Sequence, residues 1–163
     1  MTQTAMAIRP PVQPIVNTVV TPVRAILTQN SCPNPSPSDR ILVVNTPGLA
    51  GDGTTLTSVN APPRVRELVE QVTGAPLQKA RAEWCLSTQT LTHHFLGIDP
   101  NGPPQTPTLP KLIISTGKIK QRDPMGGGMT FDCVEELKAL GKEFKIPLIF
   151  LAPEDLKALC DQR

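Results

Sequence analysis

Aromatic residues are scarce in this chain of 163 residues, which has no tyrosine, one tryptophan and 3% aromatic residues in all. The core must therefore consist mainly of Leu, Ile, Val and Ala, and we expect Trp84 to lie in it. Close cysteine pairs are also absent, because the cysteines are widely spaced, at Cys32, Cys85, Cys133 and Cys160. This spacing argues against a local zinc site or a dense disulfide framework and favours a reducing compartment.

The chain also lacks a strong net charge and long apolar runs. Its formal charge of +2 is too small to attract nucleic acid or a membrane through a whole-protein field, so an anion site must come from local clustering. No stretch of about twenty apolar residues occurs, and the N-terminus lacks the basic and apolar regions of a signal peptide. We therefore expect a soluble intracellular protein of the cytoplasm, without a membrane partner.

Proline, in contrast, is abundant, with 19 residues in the chain. The first 38 residues combine proline with Thr, Gln and Asn and show no regular apolar period. We therefore expect a Pro-rich flexible N-terminal arm over residues 1–39 and a compact domain over residues 40–163. The short apolar runs of the arm would allow it to order on a protein partner or on its own domain.

The domain begins with alternating strand and helix patterns. The β-branched run RILVVNT, residues 40–46, predicts a strand. PPRVRELVEQVTGAP, residues 62–76, has the proline start, apolar face and glycine end of a short helix. Apolar residues at spacings of three, four and seven predict a second helix over residues 77–97.

The last third of the chain has the pattern strand, helix, strand. KLIIST and IPLIFL are apolar runs of strand length, and TFDCVEELKALGKEF between them has one apolar helical face. Such a unit is typical of a parallel crossover, and a final helix is predicted to begin at Pro153. The fold class that we expect is α/β, with a small, mainly parallel sheet and flanking helices.

A basic segment lies within this last third. If residues 117–122 are extended, Lys118, Lys120 and Arg122 project from one face, because side chains alternate along a strand. With Lys111 nearby, the segment has four cations and no acid before Asp123. These four residues are the predicted contacts to nucleic acid or another polyanion; the alternative is a solvated hairpin face.

Three glycines follow the basic segment. Gly126, Gly127 and Gly128 directly precede a helix expected to begin near Thr130, so their backbone N–H groups are a candidate anion loop. The acids at the start of that helix would repel a phosphate, and the order of residues is not that of a Walker loop. The alternative is a flexible turn.

A second glycine-containing run, Gly-Asp-Gly-Thr-Thr at residues 51–55, resembles the phosphate-binding stretch of group I chaperonins. The similarity covers these residues and Ala50 alone. The acidic residue expected three positions before Gly51 is Gly48 here. We interpret the run as a loop after the first strand.

No clear catalytic constellation is present. His93 and His94 are adjacent, and helical ligands to one metal need a spacing of three or four, so we expect no metal site and no cofactor. Buried helical cysteines are usually core residues, although one sequence leaves open a cysteine nucleophile assembled by folding. Asp123 and Glu143 are the acids that a divalent-metal hydrolase would recruit.

These features favour a small non-enzymatic binding or assembly protein that contacts nucleic acid or another polyanion through its basic segment. Its arm is expected to engage a protein partner. A purely structural protein–protein interaction module and a divalent-metal phosphodiester hydrolase are the two alternatives. The absence of an acid, base and nucleophile set argues against an enzyme without excluding one.

Overall fold

A computed structural model gives the fold and describes residues 13–29, 35–45, 58–59, 61–79, 81–122 and 128–161. The helices in this part of the chain are α1 (Gln13–Gln29), α2 (Pro63–Thr73), α3 (Thr88–Leu96), α4 (Val134–Phe144) and α5 (Pro153–Asp161). The strands are β1 (Arg40–Val44), β2 (Ser58–Val59), β3 (Arg81–Cys85), β4 (Leu112–Ser115), β5 (Lys118–Arg122), β6 (Gly128–Asp132) and β7 (Leu148–Phe150).

The central sheet has the strand order β2-β3-β1-β4-β7. Strands β3, β1, β4 and β7 run parallel to one another, and β2 pairs with β3 in the antiparallel direction. Every residue of β1 and β4 is buried, as expected for strands covered on both faces. The chain is therefore an α/β protein with a mainly parallel sheet and flanking helices, as the sequence predicts.

The two faces of the sheet pack on different helices, because successive side chains of a strand point to opposite faces. Leu42 and Val44 belong to the core that includes residues of α1, α3 and α4. Ile41 and Val43 belong to the core that includes residues of α2 and α5. The result is a three-layer arrangement with the sheet in the middle.

Several local predictions are confirmed. The first strand occupies Arg40–Val44, the helix after it occupies Pro63–Thr73, and the final helix begins at Pro153. Strands β4 and β7 are parallel and are connected through α4, as the crossover pattern predicts. A two-stranded antiparallel hairpin, β5–β6, is inserted between β4 and α4.

The predicted helix over residues 77–97 is wrong in its first half. Arg81–Cys85 forms β3, which pairs with β1 along its whole length, and a helix follows only from Thr88. The hydroxyl of Ser87 accepts the backbone N–H of Gln89 at 3.2 Å and so caps that helix. Four of the five residues of β3 are buried, because pairing in the interior of the sheet outweighs local helical spacing.

The predicted helix start near Thr130 is also wrong. Thr130 lies in β6, whose residues pair with β5, and α4 begins at Val134. The carboxylate of Asp132 accepts the backbone N–H of Val134 at 3.0 Å, which helps to fix the start of α4.

Part of the expected N-terminal arm is ordered on the domain. Gln13–Gln29 forms α1, and Val19 and Val23 are fully buried in the core shared with α3 and α4. Arg24 Nη2 also lies 2.6 Å from Glu143 Oε1 on α4. Apolar residues of this part of the arm therefore pack on the domain itself, and residues 1–12 and 30–34 of the arm lie outside the described part.

Candidate functional site

The basic segment lies on the β5–β6 hairpin. Residues 118–122 are extended, as predicted, with Lys118 and Lys120 exposed and Ile119 fully buried between them. Lys118 pairs across the hairpin with Asp132, and Lys120 pairs with Thr130. The two lysines therefore share the outer face of the hairpin, about 7 Å apart along the strand. We call this surface the hairpin face.

One acid lies close to the hairpin face. Lys118 Nζ is 4.0 Å from Asp132 Oδ2, and 49% and 65% of the two side chains are exposed. An exposed pair at this distance is weak, so it leaves the Lys118 ammonium available to an anion. Among the described residues, no acid forms an ion pair with Lys120. Arg122 is the last residue of β5, the strand that also carries Lys118 and Lys120.

Lys111 does not join this cluster, which corrects the prediction. It precedes β4 and lies at the amino edge of the sheet, whereas the hairpin follows the carboxyl end of the same strand. Lys111 Nζ is 2.6 Å from Asp39 Oδ1, and the hydrogen bond from Lys111 lowers the pKa of the Asp39 carboxyl. Its charge is thus already paired within the fold.

The glycines do not stand at a helix start. Gly128 begins strand β6, and the other four residues of that strand separate it from Cys133, the N-cap of α4. Asp132 accepts the first backbone N–H of α4, so the premise of an anion loop at this helix end is wrong. Gly126, Gly127 and the chaperonin-like run at residues 51–55 lie outside the described residues.

A second polar region lies at the carboxyl edge of the sheet. Val44 of β1 is in register with Cys85 of β3 and with Ser115 of β4. One position further, the backbone N–H of Asn45 bonds Cys85 O at 3.2 Å, and that of Thr116 bonds Val44 O at 3.2 Å. The chain order reverses direction between β1 and β4, and ligands of open α/β sheets bind outside the carboxyl ends at such a point.

The side chains at this edge carry polar atoms without partners in the described part of the chain. Asn45 is fully buried, and neither its Oδ1 nor its Nδ2 is hydrogen-bonded there. The same is true of Thr116 Oγ1 and of Trp84 Nε1 on β3. Each such group costs about 1–3 kcal/mol, so native proteins rarely leave several of them close together.

The face of the sheet that packs on α1, α3 and α4 holds a buried carboxyl group. Glu136, in the first turn of α4, has no exposed surface, and neither carboxyl oxygen has a partner in the described chain. Burial raises the pKa of Glu136 to about 8. Burial likewise raises the pKa of the Cys85 and Cys133 thiols to about 12, with a smaller effect of Glu136 in the same direction. Both thiols are therefore neutral near pH 7, which argues against their use as nucleophiles.

Of the two acids of the hydrolase alternative, Glu143 alone lies in the described part of the chain. Glu143 is on the last turn of α4 and pairs with Arg24, while Asp123 lies outside the described residues. Within the described ranges, no group of three or more His, Cys, Asp or Glu side chains is placed to hold a metal ion. His93 and His94 lie in the last turn of α3, half-buried.

Comparison with known proteins does not identify the chain. No protein-family model, curated protein or solved structure matches it. Among the helices that the structure describes, none is long and apolar enough to cross a membrane. The function must therefore be inferred from the chain's own residues.

Sequence reasoning missed the groups at the carboxyl edge. A signal was present, because Asn45 follows the apolar run ILVV and Thr116 follows LIIS. Polar residues directly after buried parallel strands collect at one edge of the sheet, where α/β proteins bind ligands. Their proximity depends on β1 lying next to β4, which the local patterns do not reveal.

Proposed function

We propose that this chain is a small non-enzymatic binding or assembly protein whose hairpin face contacts nucleic acid or another polyanion. The observation that supports it is the pair Lys118 and Lys120, both exposed on one side of a strand that buried Ile119 anchors to the core. Each ammonium group would contact one phosphate and release bound counterions.

The hairpin holds these charges on a fixed backbone. Lys120 N donates to Leu86 O at 3.3 Å, which ties the middle of β5 to the segment after β3, and Cys133 N donates to Gly117 O at 2.9 Å, which closes the base of the hairpin. A polyanion would therefore meet charges that are already positioned, and less conformational entropy is lost on binding.

One observation favours the alternative of a protein–protein interaction module. Met129 of β6 is 66% exposed and pairs with Gln121, on the side of the hairpin opposite to the lysines. An exposed methionine suits an adaptable protein contact. The proposed polyanion contact and a protein contact would thus use different faces of the hairpin.

The test is a backbone amide NMR titration of the full chain with a short, mixed-sequence single-stranded oligonucleotide, at low and at moderate salt. We expect signals of residues 118–122 and 128–132 to move, and the effect to weaken as salt rises. The double variant Lys118→Ser/Lys120→Ser should weaken binding at least about 10-fold and lower the log–log salt slope by about 1.4.

The matched control is Lys138→Ser/Lys142→Ser, which removes the same charge from the exposed face of α4. We expect it to bind as the unmodified chain does, and Met129→Ser likewise. If the α4 variant loses as much affinity as the hairpin variant, the attraction is general and the hairpin face has no special role. If no hairpin signal moves at low salt, the polyanion proposal is wrong, and Met129→Ser becomes the variant for a search for protein partners.

A further inference from the structure

At the carboxyl edge of strands β3, β1 and β4, three uncharged side chains carry buried polar atoms that have no hydrogen-bond partner among the described residues. Trp84 belongs to β3, Asn45 follows β1 and Thr116 follows β4, so they come from three successive strands of the sheet. Trp84 lies in the core that packs on α2 and α5. Asn45 and Thr116 continue the alternation of Val43 and Ile114, which lie in that same core, so they point to the same face.

Asn45 and Thr116 are neighbours whose polar groups do not satisfy each other, and Trp84 is in register with Val43, two positions before Asn45. Val44 and Ser115 are in register, so Asn45 and Thr116 are aligned on adjacent strands about 4.8 Å apart. Nevertheless, Asn45 Oδ1, Asn45 Nδ2 and Thr116 Oγ1 have no hydrogen-bond partner within the described ranges. Ser115 is different, because its hydroxyl donates to Val44 O at 2.6 Å and accepts Gly117 N–H at 2.8 Å.

We propose that Trp84, Asn45 and Thr116 form a binding site for a small uncharged ligand. The part of the ligand that they hold is a planar group in which an N–H donor lies beside an acceptor. The indole N–H can only donate, whereas the Asn45 amide offers one acceptor and two donors, and the Thr116 hydroxyl does both. A ligand group that presents an acceptor and a donor side by side therefore matches these three side chains. None of the three side chains is charged, so nothing among them would compensate a phosphate or carboxylate.

Two common sources supply such a group, namely the edge of a nucleobase and a primary carboxamide. Asparagine recognises the adjacent donor and acceptor of adenine through a pair of hydrogen bonds. The position agrees with this use, because β1 and β4 flank the point at which the strand order reverses. The site is distinct from the hairpin face and does not rest on the polyanion proposal.

The experiment uses the full chain, adenosine as the nucleobase probe and nicotinamide as the carboxamide probe. Trp84 is the one tryptophan of the sequence, so its indole N–H gives a single, unambiguous NMR signal. We expect this signal and the side-chain NH₂ of Asn45 to shift with at least one probe, with a Kd on the order of 1 mM. A response to adenosine alone assigns the nucleobase source, and a response to nicotinamide alone assigns the carboxamide source.

Matched compounds and variants separate this site from unspecific binding. Purine riboside, which lacks the exocyclic amine, and nicotinic acid, which has a charged carboxylate, should shift the two signals much less. Asn45→Leu and Thr116→Val should abolish or reduce the response at least about 10-fold in affinity. Thr88→Val is the control, because it removes a buried hydroxyl without a described partner from α3 and should respond as the unmodified chain does.

Three outcomes would overturn the proposal. One is the absence of any shift of the indole and Asn45 signals with either probe at about 10 mM, ten times the expected Kd. Another is an equal response to the matched compounds, and the third is an unchanged response in Thr116→Val, which keeps the shape of the side chain. The comparison of compounds on the unmodified chain decides the matter even where a variant fails to fold.

Discussion

Arg40 and Glu83 form a buried ion pair between the adjacent strands β1 and β3, with Arg40 Nη1 2.9 Å from Glu83 Oε2 and 6% of each side chain exposed. The Arg40 guanidinium also donates to three backbone carbonyls, those of His94, Phe95 and Thr108. Burial raises the pKa of Glu83, but His94, Arg40 and Arg81 together lower it by more, so the carboxyl remains ionised near pH 7. One arginine therefore joins β1, β3, the end of α3 and the segment before β4.

Replacement of Arg40 by Met should destabilise the fold by about 3–5 kcal/mol, because Glu83 would lose its main buried partner and the carbonyls their donor. Urea denaturation gives this value directly. The exposed pair Arg24–Glu143, with 60% and 40% of its side chains exposed, provides the control. Arg24→Met should cost less than about 1 kcal/mol. Equal effects of the two variants would show that burial of the Arg40 pair is not decisive.

Two glycines at helix ends allow the energetic cost of a left-handed backbone conformation to be measured separately from the cost of a steric clash. Gly74 and Gly97 cap α2 and α3 in the left-handed region, with φ of 73° and 67°. A Cβ on Gly74 would meet nothing within 4 Å, whereas on Gly97 it would lie 2.7 Å from Thr108 Oγ1 and 2.8 Å from Arg40 Cζ. Gly74→Ala should therefore cost about 1–2 kcal/mol, the conformational penalty alone.

Gly97→Ala should be clearly more destabilising than Gly74→Ala, because the added methyl group displaces the Arg40 guanidinium from its carbonyl partners. The difference between the two urea midpoints, at equal slope, measures this steric part. In the background of Arg40→Met the difference should become smaller. Equal midpoints would mean that the segment around Thr108 adapts without cost.

Glu136 should make the protein less stable as the pH rises from about 5 to about 8. Its pKa rises on folding from an ordinary value of 4.5 to about 8, so in this range the folded chain binds a proton that the unfolded chain has lost. The free energy of unfolding then falls as the pH rises, by a few kcal/mol in total, and becomes level above the pKa that Glu136 has in the folded chain. The lowered pKa values of Asp39 and Glu83 act below this range.

Glu136→Gln removes this titration and gives the comparison. At pH 5 the variant and the unmodified chain should have similar free energies of unfolding, since both side chains are neutral in the folded chain and the loss of stability from Glu136 has only begun. At pH 8 the variant should be the more stable of the two. Parallel stability curves for the two proteins between pH 5 and pH 8 would show that the Glu136 carboxyl is hydrated in solution and keeps an ordinary pKa.

Elements with a complete local pattern could be predicted from the sequence. The run ILVV, the helix with Val65 and Val69 on its buried face, and the helix from Val134 to Phe144 all carry their own apolar signal. Strand β3 could not be predicted in this way. It contains Glu83, whose burial depends on Arg40, 43 residues earlier in the chain.

The candidate sites also combine features that follow from the local sequence with features that depend on tertiary structure. The common face of Lys118 and Lys120 follows from alternation along one strand, which is a local property. The removal of Lys111 from that cluster depends on its pairing with Asp39, 72 residues away. The neighbourhood of Asn45 and Thr116 likewise requires the strand order, which only tertiary structure supplies.

Helix α1 offers the last prediction, because the sequence argues against it and the core supports it. Pro22 lies inside α1, and a proline in a helix interior costs about 3 kcal/mol. The helix must therefore depend on packing, in which Val19 and Val23 are fully buried against α3 and α4. Val23→Ala should destabilise the whole protein by about 2 kcal/mol, since it removes two buried methyl groups.

The measurement is a urea midpoint together with hydrogen exchange of the amides in α1 and α4. Ala25→Ser, at an exposed position of the same helix, should change the free energy of unfolding by less than about 0.5 kcal/mol. If Val23→Ala accelerates exchange in α1 alone and leaves the global midpoint unchanged, the helix opens independently of the domain. A common loss of protection in α1 and α4 would instead show that residues before Arg40 belong to the cooperative core.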